Sequence, residues 1–225
     1  MKIAAMIPVR ENSKRLKGKN FLELNGSKIY EIALKKCVES NIFDLIFVNS
    51  SLSWLEHECK VNNISHYYRP DVLSSSDATT DQVVLDAFLN FLDPSYFYLF
   101  WVNTASPLSS ITDIRTTVNH AINNNVSSIM TVAKTRGHVR YAGKSVNYEE
   151  DSNGFAQTQR LESAILFNYA VMGWSRAAIA DLKARKAFND RTEFVETSFF
   201  SNMLLKTPLD FDLISRFSGL IAGAK

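Results

Sequence analysis

The chain is short of the residues that would staple a small fold or hold a metal. It has two cysteines in 225 residues, Cys37 and Cys59, each inside a segment of helical character. Two scattered thiols make neither a disulfide framework nor a zinc site, and they fit a reducing compartment. The four histidines, at 57, 66, 120 and 138, show no ligand spacing. No run approaches the length of apolar sequence that spans a membrane. Seven mostly apolar residues between Lys2 and Arg10 do not make a secretory leader, so a cytoplasmic protein is expected. Repeats and low-complexity tracts are missing too. Charge is nearly balanced, 25 Lys and Arg against 23 Asp and Glu. That excess is too mild, and too local, to imply a nucleic-acid partner.

The excess sits in one place. The apolar segment Ile3–Pro8 runs into a loop carrying Arg10, Lys14, Arg15, Lys17 and Lys19 against Glu11 alone. A basic loop at the carboxyl end of a first strand is where open α/β sheets take anionic ligands. The loop lacks the glycine spacing of dinucleotide-binding and Walker loops, so side chains must supply the donors. Arg10 offers a planar fork to phosphate oxygens; Lys14 and Lys19 are mobile point charges. A solvated basic turn is the plain alternative. A polyphosphate is the ligand the pattern favours.

With 46% hydrophobic and 21% charged residues, the composition suits one globular domain over residues 1–225 with a full core. Strand-like and helix-like segments alternate. Strands are expected at Ile3–Pro8, Leu45–Asn49, His66–Tyr68, Tyr96–Val102, Ser128–Val132 and Phe167–Trp174. The most apolar of them, Tyr96–Val102, belongs at the centre. Helices are expected at Ile29–Ser40, after a Ser53/Glu56 capping box, after Thr79 with Gln82, after Ser110 with Asp113, and after Thr207-Pro208. This rhythm predicts an α/β fold, a mainly parallel sheet flanked by helices. It breaks over 134–165, where Gly137, Gly143, Gly154 and the acidic run Glu149-Glu150-Asp151 predict an excursion of short antiparallel strands.

Several segments together resemble a known family. IPVRENSKRLKGKN resembles the signature IPARxxSKRxxxKN of the cytidylyltransferases that activate keto-sugar acids. These are the acylneuraminate (CMP-sialic acid) synthetases and their relatives for pseudaminic, legionaminic and 3-deoxy-manno-octulosonic acids. FLELNGSKIYEIAL, YYRPDVLSSSDATTDQVV, NTASPL, NYAVMGW and TPLDFDLI are similar to further family segments, in order. NTASPL stands where the family has QPTSPLR, and NYAVMGW where it has NGAIYVF. The resemblance implies a Rossmann-like nucleotide-diphospho-sugar transferase fold. It implies CTP as nucleotide, a keto-sugar acid as acceptor, Mg2+ as cofactor, and a homodimer built by the 134–165 excursion. By position, Arg10 and Lys19 would hold the phosphates and act in catalysis. Ser13, Lys14, Asn20, Arg69, Asp77 and Thr80 would bind nucleotide, while Asn103 and Asn168 would face the sugar acid. His138, Arg140, Tyr141 and Arg160 are candidates to reach the sugar's carboxylate from the excursion. Simpler roles stand beside these: Arg69 as an exposed loop cation, Asp77 and Thr80 as parts of a helix cap, Asn103 as a satisfier of loop backbone.

Three stretches depart from the family pattern. Anchoring on Thr207-Pro208 puts Leu204 and Lys206 where the family has its pair of metal-binding aspartates, and neither can ligate Mg2+. Asn49-Ser50-Ser51-Leu52 lacks the family's acids, and the 103–109 loop has lost an arginine. The metal ligands are therefore unknown. Three functions stay open: a cytidylyltransferase for a sialic-acid-like sugar, a nucleotidyltransferase with changed base or sugar, and a non-catalytic nucleotide- or sugar-binding homologue.

Overall fold

The computed structural model describes residues 1–11, 13–75, 77–149 and 157–223, with side chains to residue 219. Elements follow in chain order. Strand β1 (Lys2–Pro8) precedes a hairpin of β2 (Glu23–Leu24) and β3 (Ser27–Lys28), then helix α1 (Ile29–Ser40), β4 (Leu45–Ser50), α2 (Trp54–Val61) and β5 (Ser65–Tyr68). The short α3 (Asp71–Ser74) and α4 (Thr80–Asn90) lead to β6 (Tyr96–Val102), α5 (Ile111–Asn123) and β7 (Ser128–Thr135). A second hairpin, β8 (Arg140–Tyr141) and β9 (Lys144–Ser145), precedes β10 (Ala164–Ser175), α6 (Ile179–Lys183), β11 (Thr192–Glu196) and α7 (Pro208–Gly223).

The main sheet has the order β11-β7-β10-β6-β1-β4-β5, so β6 is central as its apolar sequence predicts. Strand β10 runs antiparallel to both neighbours, while the other pairs are parallel. Alternation along β1 and β6 divides the core by face, as the period of two requires. Ala5 and Ile7, with Tyr98 and Phe100, face Tyr30, Ala33 and Cys37 of α1 and Ile114 and Val118 of α5. Ala4 and Met6, with Leu99 and Trp101, face Val83, Val84, Ala87 and Phe88 of α4. At Gly173 on β10 the Phe100 ring crosses where a Cβ would sit, so the strand needs glycine there.

Two of the three capping boxes form as expected. Thr79 Oγ1 accepts from the Gln82 N–H, and Ser110 Oγ from the Asp113 N–H at 3.0 Å. Ser53 does not cap α2: it is already helical, and its carbonyl rather than its hydroxyl accepts the Glu56 N–H. The edge strand β11 and the β2–β3 hairpin are additions to the expected set. Within 134–165 the β8–β9 hairpin matches the expected antiparallel excursion. Glu150, Asp151 and Gly154 lie outside the described residues. The two thiols are buried in α1 and α2 and unpaired. Burial pushes Cys37 up to about 12 and Cys59 to about 11, which keeps both protonated. No helix among the described residues is long and apolar enough to cross a membrane.

Candidate functional site

Parallel strands that end together leave a crevice outside their carboxyl ends, and the basic loop lies across it. Gly18, at φ 64°, turns the chain left-handed into a single helical turn at Lys19–Phe21. The Lys19 N–H donates to the Leu16 carbonyl and the Phe21 N–H to that of Gly18, fixing the loop's exit. Asn20 then joins two walls of the crevice. Its Nδ2 donates to the Arg10 carbonyl at 2.8 Å, and its Oδ1 accepts from Thr104 Oγ1 at 2.7 Å.

The cleft so formed encloses about 900 Å³. Arg10, Ser13, Lys14, Lys19, Asn20 and Asn103 all line it, with Arg15, Lys17, Ser74, Ser75, Trp101 and Thr104. The loop's five cations thus share one cavity, and among the described residues no Asp or Glu lines it. Burial, then the charges of Arg15, Arg10 and Lys206, lowers the Lys19 pKa from its ordinary value. Burial does the same to Arg10, whose Nη1 donates to the Ser75 carbonyl at 3.3 Å. Such crowding of like charges costs free energy, and a bound anion relieves it.

Arg69 is not an exposed loop cation. It is fully buried, with its Nε donating to Asn49 Oδ1 and its Nη2 to the Asn49 carbonyl at 2.7 Å. Burial, then the nearby Arg10 charge, lowers its pKa. Its Nη1, Asn49 Nδ2, Ser74 Oγ and Trp101 Nε1 are buried without a hydrogen-bond partner among the described residues. Buried polar groups are nearly always satisfied, so orphans beside a crevice mark groups available to a ligand. The signal for Trp101 in sequence is its place one residue from the carboxyl end of the central strand.

Of the other predicted residues, Asp77, Thr80 and Asn168 are not among the cleft's lining residues. The Asp77 N–H donates to Oγ of Ser75 at 3.4 Å, which keeps it close by. Thr80 begins α4, but Thr79 does the capping. Asn103 lines the cleft, and its Oδ1 accepts the Ala105 N–H at 2.9 Å, a backbone role that leaves Nδ2 without a hydrogen-bond partner among the described residues. Asn168 is buried, and both ends of its amide are engaged. Its Oδ1 accepts from Thr131 Oγ1 and the Ala170 N–H, and its Nδ2 donates to Thr197 Oγ1 and Asn202 Oδ1. The engaged amide holds an irregularity of register in β10. The irregularity puts Tyr169 at φ 55°, where the family segment carries glycine. An aromatic residue held there costs on the order of 1 kcal/mol. In the excursion, Arg140 is spent on the Gly143 carbonyl, His138 meets the Tyr148 ring edge, and Tyr141 is exposed.

Lys36 braces the 103–109 loop by donating from Nζ to the Pro107 carbonyl. Burial, against the opposing pull of Cys37, Asp113 and Glu39, lowers its pKa to about 8. Above that pH the folded protein sheds this proton while the unfolded chain keeps it, so Lys36's contribution to stability rises with pH. Urea unfolding should show wild type gaining on the order of 1–2 kcal/mol over Lys36→Met between about pH 8 and about pH 10. A difference that stays flat across that range would refute the shift.

Solved structures and sequence relatives agree with this architecture. A CMP:2-keto-3-deoxy-manno-octonic acid synthetase complexed with CTP superposes with a TM-score of 0.70 at 9% identity, covering 98% of this chain and 99% of that one. The 4-diphosphocytidyl-2C-methyl-D-erythritol synthase of Anaerococcus prevotii gives 0.66 at 14% identity, covering 97% and 98%. At such identities the likeness is one of fold. Among curated proteins, N-acylneuraminate cytidylyltransferases of Streptococcus agalactiae serotypes V and III are 28% identical over 140 residues, 61% of this chain. The matched region spans about a third (33%) of those relatives' length. The family model described as cytidylyltransferase matches residues 4–204, and the chain belongs to that family.

Proposed function

We propose that the protein joins CMP, from CTP, to a sialic-acid-like keto-sugar acid with release of pyrophosphate, in the cytoplasm, for surface polysaccharide or glycan synthesis. The observation that carries this reading is the cleft of five cations, free of lining carboxylates among the described residues, at the carboxyl end of β1. A triphosphate laid there meets the Arg10 fork and the Lys19 ammonium. The sugar's anomeric oxygen forms a bond to the α-phosphorus while the bridge to the β-phosphorus breaks. Its electron pair leaves with pyrophosphate, and the hydroxyl proton passes to solvent. Phosphoryl-type transfer is mostly positioning and charge stabilisation, which Arg10 and Lys19 supply. Asn20 and Thr104 hold the two walls in register, and Asn103 Nδ2 is free to orient the acceptor.

A homodimer is part of the proposal. Ile165, Leu166, Phe167, Tyr169 and Phe194 form an exposed apolar run on β10 and β11, with Phe167 stacked on Phe194. Exposed apolar strand residues suit a subunit contact.

The Mg2+ implied by the resemblance does not fit this donor set. Mg2+ takes hard oxygen ligands, usually one or two carboxylates together with phosphates. Here the cleft's lining offers only cations and neutral groups, and no cluster of three or more metal-binding side chains occurs among the described residues. The same observation favours a second reading, a homologue that binds nucleotide without turnover. Pyrophosphate release from CTP with sialic, legionaminic, pseudaminic and octulosonic acids separates the two. Turnover with one acid, and with CTP above other nucleotides, is the expected result. A folded protein that binds CTP and turns over none of them would establish the second reading.

A further inference from the structure

The segment that carries Lys206 is tied to the 103–109 loop, and Lys206 itself lines a small neighbouring cavity with Leu204 and Asp210. The Leu205 N–H donates to the Ala105 carbonyl at 2.7 Å, and Ser106 Oγ to the Ser201 carbonyl at 2.7 Å. Those bonds tie 201–206 to the loop whose Asn103 and Thr104 form one wall. Leu205 is fully buried, whereas the Lys206 side chain is exposed, so its ammonium is free to swing. Its charge already reaches Lys19, where it adds to the lowering of that lysine's pKa. Asp210, the nearest acid in sequence, is pushed up by burial, but bonds from Thr207 and Lys206 and the Lys206 charge hold its pKa below the ordinary value. Its Oδ2 accepts the N–H groups of Lys206 and Thr207 at 2.9 and 2.7 Å, capping α7.

We propose that this cleft holds its triphosphate without a divalent cation, and that Lys206 supplies the positive charge where the family has a metal-binding aspartate. The inference rests on the nucleotide reading above. A lysine and a carboxylate-bound metal deliver charge to phosphate oxygens by different means: one directly, the other through an ion the protein must first capture. A cleft that gathers Arg10, Lys14, Arg15, Lys17 and Lys19 repels a free divalent ion, and Leu204 offers it no ligand. An ammonium on an exposed stem adds charge with no such ligand requirement. The prediction is a polyanion site whose affinity does not depend on magnesium.

Calorimetric titration of CTP, in EDTA and again in millimolar Mg2+, tests this without requiring turnover. Binding in EDTA should be at least as tight as in Mg2+. Lys206→Ala should weaken binding in EDTA about tenfold, and Lys206→Arg should keep it. The double change Leu204→Asp with Lys206→Asp should make binding depend on Mg2+. Tenfold tighter binding with Mg2+ in the wild type would overturn the metal-free reading and leave the nucleotide reading intact. Unchanged affinity in Lys206→Ala would remove the role of that lysine. No CTP binding in either buffer, by protein with a native circular dichroism spectrum, would overturn the nucleotide reading itself.

Discussion

Lys19→Ala should lower kcat/KM for pyrophosphate release from CTP by about 10²–10³-fold, the usual cost of removing one preorganised charge from a reacting centre. The same change should leave thermal stability unchanged or raise it. Lys19 is partly buried beside Arg15, Arg10 and Lys206, and their fields lower its pKa. Deleting its charge relieves that repulsion in the free protein. It also withdraws a partner from the bound triphosphate. A gain in stability with a loss of function is the pattern of a site strained for its ligand. Steady-state kinetics and a melting curve on one preparation check both halves. Activity within threefold of wild type would remove Lys19 from the catalytic set.

Asp113→Ala should destabilise the fold by about 3 kcal/mol, because it strands several donors at once. The Asp113 carboxylate accepts from the N–H and hydroxyl of Ser110 and the N–H and hydroxyl of Ser198, and from Ser201 Oγ, at 2.8–3.0 Å. Burial alone would push its pKa up; the hydrogen bonds from Ser198, Ser110 and Ser201 outweigh this and hold it below the ordinary value. The folded protein therefore keeps the carboxylate ionised to lower pH than the unfolded chain does. Its contribution is full above the unfolded pKa near 3.8 and is lost as pH falls through the lower folded value. Denaturant titrations at neutral pH and below about pH 4 should show the gap between wild type and Asp113→Asn closing in acid. A gap that stays constant would contradict the assignment. Through Ser198 and Ser201 the same carboxylate sets the segment leading to Lys206, so Asp113→Ala should also weaken CTP binding.

Much of this was legible in the chain. The alternation of apolar runs placed β1, β4, β6 and β7, and the Thr79/Gln82 and Ser110/Asp113 boxes marked helix starts within a residue. The basic loop was legible too: five cations after a buried strand favoured a crevice over a solvated turn, and all five line one cleft. What periodicity could not supply was everything set by distant partners. β11 is an edge strand with two buried residues, too little pattern to read, though it pairs with β7 over five positions. Asn25-Gly26 is a hairpin dipeptide that could have been read in sequence, and both residues take the left-handed backbone of the β2–β3 turn. Arg69 before a proline looks like a surface cation until Asn49, twenty residues away, takes its guanidinium. Asn168 matches a sugar-facing asparagine in sequence, but its amide is saturated by Thr131, Thr197 and Asn202, which no local pattern foretells.

The most direct test of the central claim is ³¹P NMR of the protein with CTP and each keto-sugar acid, first in EDTA and then in Mg2+. The account predicts loss of the three CTP resonances and growth of two products, a phosphodiester of CMP and pyrophosphate, with the reaction proceeding in EDTA. Intact CTP with every acid in EDTA, whether or not Mg2+ restores turnover, or release of its γ-phosphate as orthophosphate, would contradict it.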